Sequence, residues 1–411
     1  MSLNDAQRAA VEHHRGPLLV LAGAGSGKTR VITHRIARLL ERGVPPGKIL
    51  AVSFTNKAAA EMRERMMPLV GPERATRLWL STFHSFGVRF LQEENRALGY
   101  DGRFVIIDQG DQLGLVRELL AAEQPGARSL DVPALLARIS LWKNAFLAPD
   151  EVPSSDFEYD AVARELYPSY EERLRALHAV DFDDLVCAPV RILEARPELR
   201  AKWAVRFAHR LVDEFQDTNK AQLALVRALT NESRNVCVVG DDDQSIYGWR
   251  GAEVGNILDF ERHFPGAAVV KLELNYRSRS PILAVANAVI ARSRGERHDK
   301  TLRAARGEGP KVRVLALPDA GEEAKFVVRE TRALLQEGLG GRPVGPEHVA
   351  VLYRSNAQAK LLEEELRVGG VPYRVYGGTQ FFDRKEVKDL VAYLRVVAHR
   401  RDDLSLRRAV N

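Results

Sequence analysis

Cysteine is nearly absent from this chain. Only Cys187 and Cys237 occur in its 411 residues, and neither sits in a C-x-x-C pair or in a Cys/His group with metal-ligand spacing. A disulfide framework and a structural zinc site are thereby excluded, and a reducing compartment is expected. Long apolar runs are missing too. No stretch approaches the roughly 18 residues a membrane span needs, and the N-terminal MSLNDAQRAAVEHH has no signal-type apolar core. The expected location is the cytoplasm, with no membrane partner. No low-complexity tract or internal repeat stands out. Charge of one sign is only slightly in excess, 61 Lys and Arg against 55 Asp and Glu, for a formal net charge of +6. That bias suits a polyanionic partner and equally an ordinary solvated surface.

The chain does carry short apolar runs alternating with amphipathic stretches. Pro17–Gly23, Ile49–Phe54, Leu78–Thr82, His209–Asp213, Asn235–Gly240 and Ala268–Leu274 read as strands, with helices over Lys28–Arg42 and Lys57–Met67. This alternation predicts a mainly parallel α/β sheet. Between Phe90 and Ala208 the pattern turns helical, over Leu113–Glu123, Val132–Phe146, Ala161–His178 and Asp184–Glu194, which reads as a helical insertion. After Arg277 the α/β pattern restarts. Strands are expected over Lys311–Leu317, His348–Tyr353 and Tyr373–Tyr376, helices over Ala320–Leu335 and Ala357–Val368, and a last helix over Phe382–Arg400.

Between the first strand and its helix, Ala22, Gly23, Ala24, Gly25, Ser26, Gly27, Lys28 and Thr29 spell AGAGSGKT. Glycines there let the backbone curl so that its N–H groups face phosphates, with the helix N-terminus behind them. Lys28 can reach the β/γ-phosphates of ATP, and the Thr29 hydroxyl can hold Mg²⁺. The plainer reading is a glycine-rich turn. Ala22 stands where the strict pattern has Gly, a position that mainly needs a small residue. The run LVDEFQD then ends an apolar strand in Asp-Glu. Asp213 is placed to bind Mg²⁺ directly or through water, and Glu214 to orient and deprotonate the attacking water. Acidic residues at strand ends are common loop chemistry, and the motif gains weight only beside the phosphate loop. The helical insertion accounts for the long separation of the two.

At Gly240–Ala252 the chain reads GDDDQSIYGWRGA. With LNDAQRAAV at its start, FTNKAAAEM, STFHSFG, LNYRS and GGTQFFDRKEVKDLVAYLR, all in order, it resembles the UvrD/Rep/PcrA family of superfamily 1 DNA helicases. The resemblance runs from Leu3 to the C-terminus, with only the helical insertion loosely matched. It implies two RecA-like P-loop motor domains. The first is expected over residues 1–89 and 209–277 around a helical insertion at 90–208. The start of the second is expected at 278–379, and the start of an inserted helical subdomain at 380–411.

The resemblance also implies roles. Gln7 looks like the adenine-reading glutamine, with Arg30 beside it, and Tyr276 like the residue stacking on adenine. Gln244 resembles the γ-phosphate sensor, and Arg250 and Arg277 resemble γ-phosphate arginines. Phe54, Asn56, His84, Tyr247 and Trp249 fall where the family contacts single-stranded DNA, with Arg354 and Asn356 doing so from the second domain. Aromatic faces suit a motor indifferent to sequence, since stacking holds any base. Two of these residues also have bland readings, Trp249 as an interdomain interface aromatic and His84 as a hydrogen-bonded structural histidine.

The implied activity is an ATP- and Mg²⁺-dependent 3′→5′ DNA helicase or translocase on single strands and single-strand/duplex junctions, alongside repair or replication proteins. The family's later motifs, including a further arginine of the ATP site, do not occur in this sequence. A truncated chain, inactive in unwinding alone, is therefore expected. Two alternatives are the motor part of a RecB/AddA-type helicase–nuclease and a non-hydrolysing DNA-binding regulatory module.

Overall fold

The computed structural model describes residues 3–100, 104–293, 295–376, 385–398 and 403–410. Ten strands occur among them: β1 (Leu18–Ala22), β2 (Ile49–Ser53), β3 (Trp79–Thr82), β4 (Val105–Ile106), β5 (Ala179–Val180), β6 (His209–Val212), β7 (Val236–Gly240), β8 (Ala268–Leu272), β9 (Leu274–Asn275) and β10 (Arg303–Ala304). Six form one all-parallel sheet in the order β3-β2-β6-β7-β1-β8. A parallel sheet buried on both faces needs continuous apolar strands rather than alternating ones. β1 shows why. Leu19 and Leu21 join one core with Leu50, Val52, Val212 and Val238, while Leu18, Val20 and Ala22 join the other with Ile49, Ala51, Leu211 and Val239. Both cysteines are buried in these cores, and burial pushes both thiols up, which keeps them inert.

The helical insertion has the expected helices at Gln109–Glu123, Val132–Asn144, Glu158–Ala176 and Asp184–Ala195. It also has a helix at Pro197–Arg206 and the small parallel pair of β4 with β5, neither of which the pattern predicted. Its centre is a fully buried Lys143, 2.7 Å from Asp181 and 2.9 Å from both Asp184 and Glu171. Next to it, Asn144 donates to Asp183 and accepts from Asn219, just beyond β6, which ties the insertion to the motor sheet.

Residues 3–311 and 312–410 form two compact units. The stretch after Arg277, expected to open the second domain, packs with the first unit. β10 pairs with β9, and Asn287 in the helix Ser280–Ile290 bonds to Leu302. In the second unit the helices Ala320–Glu337 and Asn356–Val368 pack through Val328, Leu335 and Leu366, with Val371 beyond the second helix joining them. The three expected strands there are a correction. Lys311–Leu317, His348–Tyr353 and Tyr373–Tyr376 run without any ladder among the described residues. Their alternation marks strand propensity, but a strand exists only when its backbone groups are paired, and Val314 and Leu352 stand 92% and 90% exposed. The expected boundary at residues 379 and 380, and residues 377–384 of the last motif, lie outside the described residues. The final helices cover Lys385–Ala398 and Asp403–Val410.

Candidate functional site

The glycine loop leaves β1 and enters the helix Lys28–Glu41. Gly25 and Gly27 take φ of +69° and +96°, a region side chains rarely adopt. Space is equally tight. A Cβ at Gly25 would lie 2.7 Å from Arg277 Cβ and 2.8 Å from Asn275 Nδ2, and one at Gly27 would lie 2.8 Å from Gln7 Nε2. The loop is therefore clamped by the residues expected to surround a nucleotide. Asn275 Nδ2 donates to the Ala24 carbonyl, the Tyr276 N–H donates to the Gly25 carbonyl at 2.9 Å, and Asn4 Nδ2 donates to the Tyr276 hydroxyl at 2.8 Å.

Gln7 is fully buried. Its Nε2 donates to the Ser26 carbonyl at 2.9 Å, and its Oε1 accepts from the Asn4 N–H at 3.2 Å as part of a helix-capping box. A structural tether is thus added to the base-reading role expected of it. Arg30 lies in the first turn of the helix after the loop, and Arg277 is exposed beside Gly25.

Lys28 Nζ lies 2.7 Å from Glu214 Oε2 and 3.4 Å from Gln244 Oε1, so three expected site residues meet across three chain segments. Glu214 holds a left-handed backbone, φ +51°, at the end of β6. Strain of this kind clusters where a side chain must be aimed. Asp213 beside it is 5% exposed, and burial together with the Glu214 charge pushes its carboxyl up to about 7. Asp217 is likewise pushed up to about 6 by burial and by Glu214.

A divalent cation relieves such crowding. The Thr29 hydroxyl and the Asp213 carboxylate are hard oxygen donors of the type Mg²⁺ prefers. Among the described residues no group of three or more His, Cys, Asp and Glu is placed to hold a metal.

Gln216 was not anticipated. It is 2% exposed, donates to Glu214 Oε2 at 2.9 Å, and accepts from the Asp241 N–H at 2.9 Å through Oε1. Asp241 in turn accepts from Gln244 Nε2. One glutamine thus joins the end of β6 to the turn after β7. A neutral residue inside LVDEFQD gives no local sign of this.

Beyond Gln244 the chain turns outward. The Tyr247 ring stacks on Phe54 at 5.7 Å and 19°, and Trp249 follows at 6.4 Å from Tyr247, 73% exposed. Arg250 lies in the same short turn, Gly248–Arg250. Asn56 begins the helix after β2 and is met by Ser85 Oγ at 3.5 Å. His84 sits at the start of the helix after β3, with its pKa lowered by burial. Its ring meets Phe182 edge-on at 5.8 Å, and Phe182 is 48% exposed. Phe182 is a second residue missed from the sequence, where it looks like any other apolar residue of the insertion. Of these aromatics Trp249 and Phe182 are exposed, while Phe54 and Tyr247 are partly buried. Arg354 and Asn356 lie in the second unit, at the start of the helix Asn356–Val368.

Residues 3–265 match the UvrD/REP helicase N-terminal domain and residues 270–411 the UvrD-like helicase C-terminal domain. The whole chain aligns at 44% identity with 56% of the length of the ATP-dependent DNA helicase PcrA of Staphylococcus epidermidis. It aligns at 43% identity with 55% of the PcrA of Staphylococcus aureus. The chain thus spans little more than half the length of these curated relatives. No helix among the described residues is long and apolar enough to cross a membrane. With family models covering nearly all of its length, the chain belongs to the UvrD/REP helicase family.

Proposed function

We propose that this chain is the ATP-hydrolysing motor of a single-stranded DNA translocase and helicase, moving 3′→5′ and engaging single-strand/duplex junctions in repair or replication. One observation carries this reading above the others. Gln244, within reach of Lys28, and the base-stacking pair Tyr247 and Trp249 sit on one short segment. A change at the γ-phosphate therefore has a direct mechanical route to the DNA face. The names of the relatives, ATP-dependent DNA helicases, support the same reading.

The chemistry follows from the residues. The loop N–H groups and Lys28 bind the β/γ-phosphates, while Tyr276 and Gln7 orient the base. Thr29 and Asp213 would hold Mg²⁺, which would neutralise phosphate charge when bound. Glu214 takes the proton of the attacking water as the water adds to the γ-phosphorus, and the β-phosphate oxygen leaves with the bond electrons. Arg277 and Arg250 offset charge developing on the γ-phosphoryl oxygens. Phe54, Tyr247, Trp249, His84 and Asn56 grip the strand, with Arg354 and Asn356 on the second unit as further contacts. ATP turnover measured with and without oligo-dT tests the proposal. Stimulation by the single strand, abolished in Glu214→Gln, is expected. A rate indifferent to DNA rejects it.

A further inference from the structure

Lys300 has no place in the scheme above, yet it is among the least exposed lysines of the first unit, at 8%. Its Nζ lies 3.0 Å from Asp241, 2.6 Å from Asp242 and 2.8 Å from Asp243, the three aspartates that directly precede Gln244. Neighbouring residues of the same segment hold the same turn. The His298 N–H donates to Asp242 at 2.9 Å, and Arg297 lies 3.3 Å from Asp243. Two residues beyond Lys300, Leu302 packs against Gly23 of the phosphate loop, where a Cβ would lie 2.2 Å from its side chain. Lys300 also lines a cavity of about 360 Å³ together with Ala24, Gln244 and Asn287.

These contacts form a continuous polar line. Lys300 holds one oxygen of Asp241, and the other accepts from Gln244 Nε2. Gln244 Oε1 faces Lys28 at 3.4 Å, and the Asp241 N–H reaches Gln216 and through it Glu214. A side chain with a single cationic point facing three acceptors fixes a short turn in three directions at once. Its backbone is a single 3-10 turn, Asp242–Gln244, without sheet pairing.

We propose that Lys300 is a positioning residue for the ATP-to-DNA coupling. It pins the Asp241–Gln244 turn so that Gln244 stays aimed at the γ-phosphate while the following aromatics stay aimed at the strand. It touches neither ligand itself. The proposal rests on the motor reading above. The alternative is a counterion that merely neutralises three clustered carboxylates, and the two roles are separable. A counterion becomes dispensable once a carboxylate is neutralised, whereas a pin does not.

The test uses Lys300→Met, and Lys300→Met combined with Asp242→Asn, which relieves the charge without replacing the tether. The activity-independent readout is backbone hydrogen exchange. Faster exchange confined to residues 241–250, with β1 and β7 as protected as in the parent, is expected in both variants. The functional readout is turnover with oligo-dT. A loss of about tenfold to a hundredfold in DNA-stimulated kcat is expected, the scale on which misplacing a reacting group acts, with KM for ATP within about twofold. The double variant should recover thermal stability but not stimulation. Should Lys300→Met not fold, Lys300→Arg, which keeps the charge but not the single-point geometry, carries the same two readouts. Unchanged exchange at 241–250, or full recovery of stimulation in the double variant, overturns the proposal. A parent with no stimulation rejects the motor reading instead, and the exchange data still decide whether Lys300 pins the turn.

Discussion

Lys28 Nζ and Glu214 Oε2 stand 2.7 Å apart, in a pair that leaves the lysine side chain 11% exposed. The residue expected to grip phosphate is thus held by the residue expected to activate water. On the proposed mechanism, phosphate competes with Glu214 for Lys28, and Glu214 turns to the water when it loses. Glu214→Gln weakens the competitor and removes the base together. We predict Mg·ATP binding at least as tight as in the parent and turnover lower by about 10²–10⁴. Lys28→Ala should instead weaken binding. Equilibrium titration with a fluorescent ATP analogue and steady-state turnover check both. Weaker binding in Glu214→Gln contradicts the competition.

Trp249, 73% exposed and adjacent to the Tyr247–Phe54 stack, is proposed to hold a base by its face. Trp249→Ala should cost about 1–3 kcal/mol in single-strand affinity, alike for different base compositions. The slope of affinity against salt should stay as in the parent, because stacking releases no counterions. Fluorescence anisotropy over a salt series measures both. A loss confined to one base composition points to base-edge contact instead.

Asp213 makes stability and function oppose each other. A carboxyl whose folded pKa, about 7, exceeds its unfolded value takes up a proton on folding. Its charge therefore costs stability progressively from about pH 4 to pH 7, and fully above that. Asp213→Asn keeps the acceptor for the Glu214 N–H and removes the charge. Without magnesium the variant should be more stable than the parent by roughly 2–4 kcal/mol at pH 8, with the gap narrowing toward pH 5. Urea midpoints in EDTA at the two pH values read it out. A gap that does not change with pH rejects the assignment of that pKa.

Gly25 combines φ +69° with side-chain atoms of Asn275 and Arg277 closer than 3 Å to any added Cβ. Gly25→Ala should remove most ATP binding. Gly248→Ala, where a Cβ meets nothing within 4 Å, should leave it intact. Isothermal titration of Mg·ATP distinguishes the pair, and equal affinities would contradict the clamped loop.

The legible parts of this molecule are those whose signal is local. AGAGSGKT and the strand end at Asp213–Glu214 announce themselves within eight residues, and continuous apolar strands announce a doubly covered parallel sheet. Residues that act by connecting distant segments stay silent. Gln216 matters because Asp241 lies opposite it, and Lys300 because three aspartates far earlier in the chain converge on it. Phe182 reads as one more core residue until the fold leaves it half-exposed against His84. The segments 311–317, 348–353 and 373–376 show the opposite failure, since a strand pattern specifies a face but not a partner.

The central claim is that nucleotide chemistry and strand stacking are coupled through residues 240–250. Its most direct test is ATP turnover by the parent chain and by Trp249→Ala across an oligo-dT titration. The account predicts that turnover rises on DNA saturation in the parent. In Trp249→Ala the basal rate should be unchanged, with the stimulation curve shifted to higher DNA concentration. A parent rate that does not respond to single strands at any concentration contradicts it.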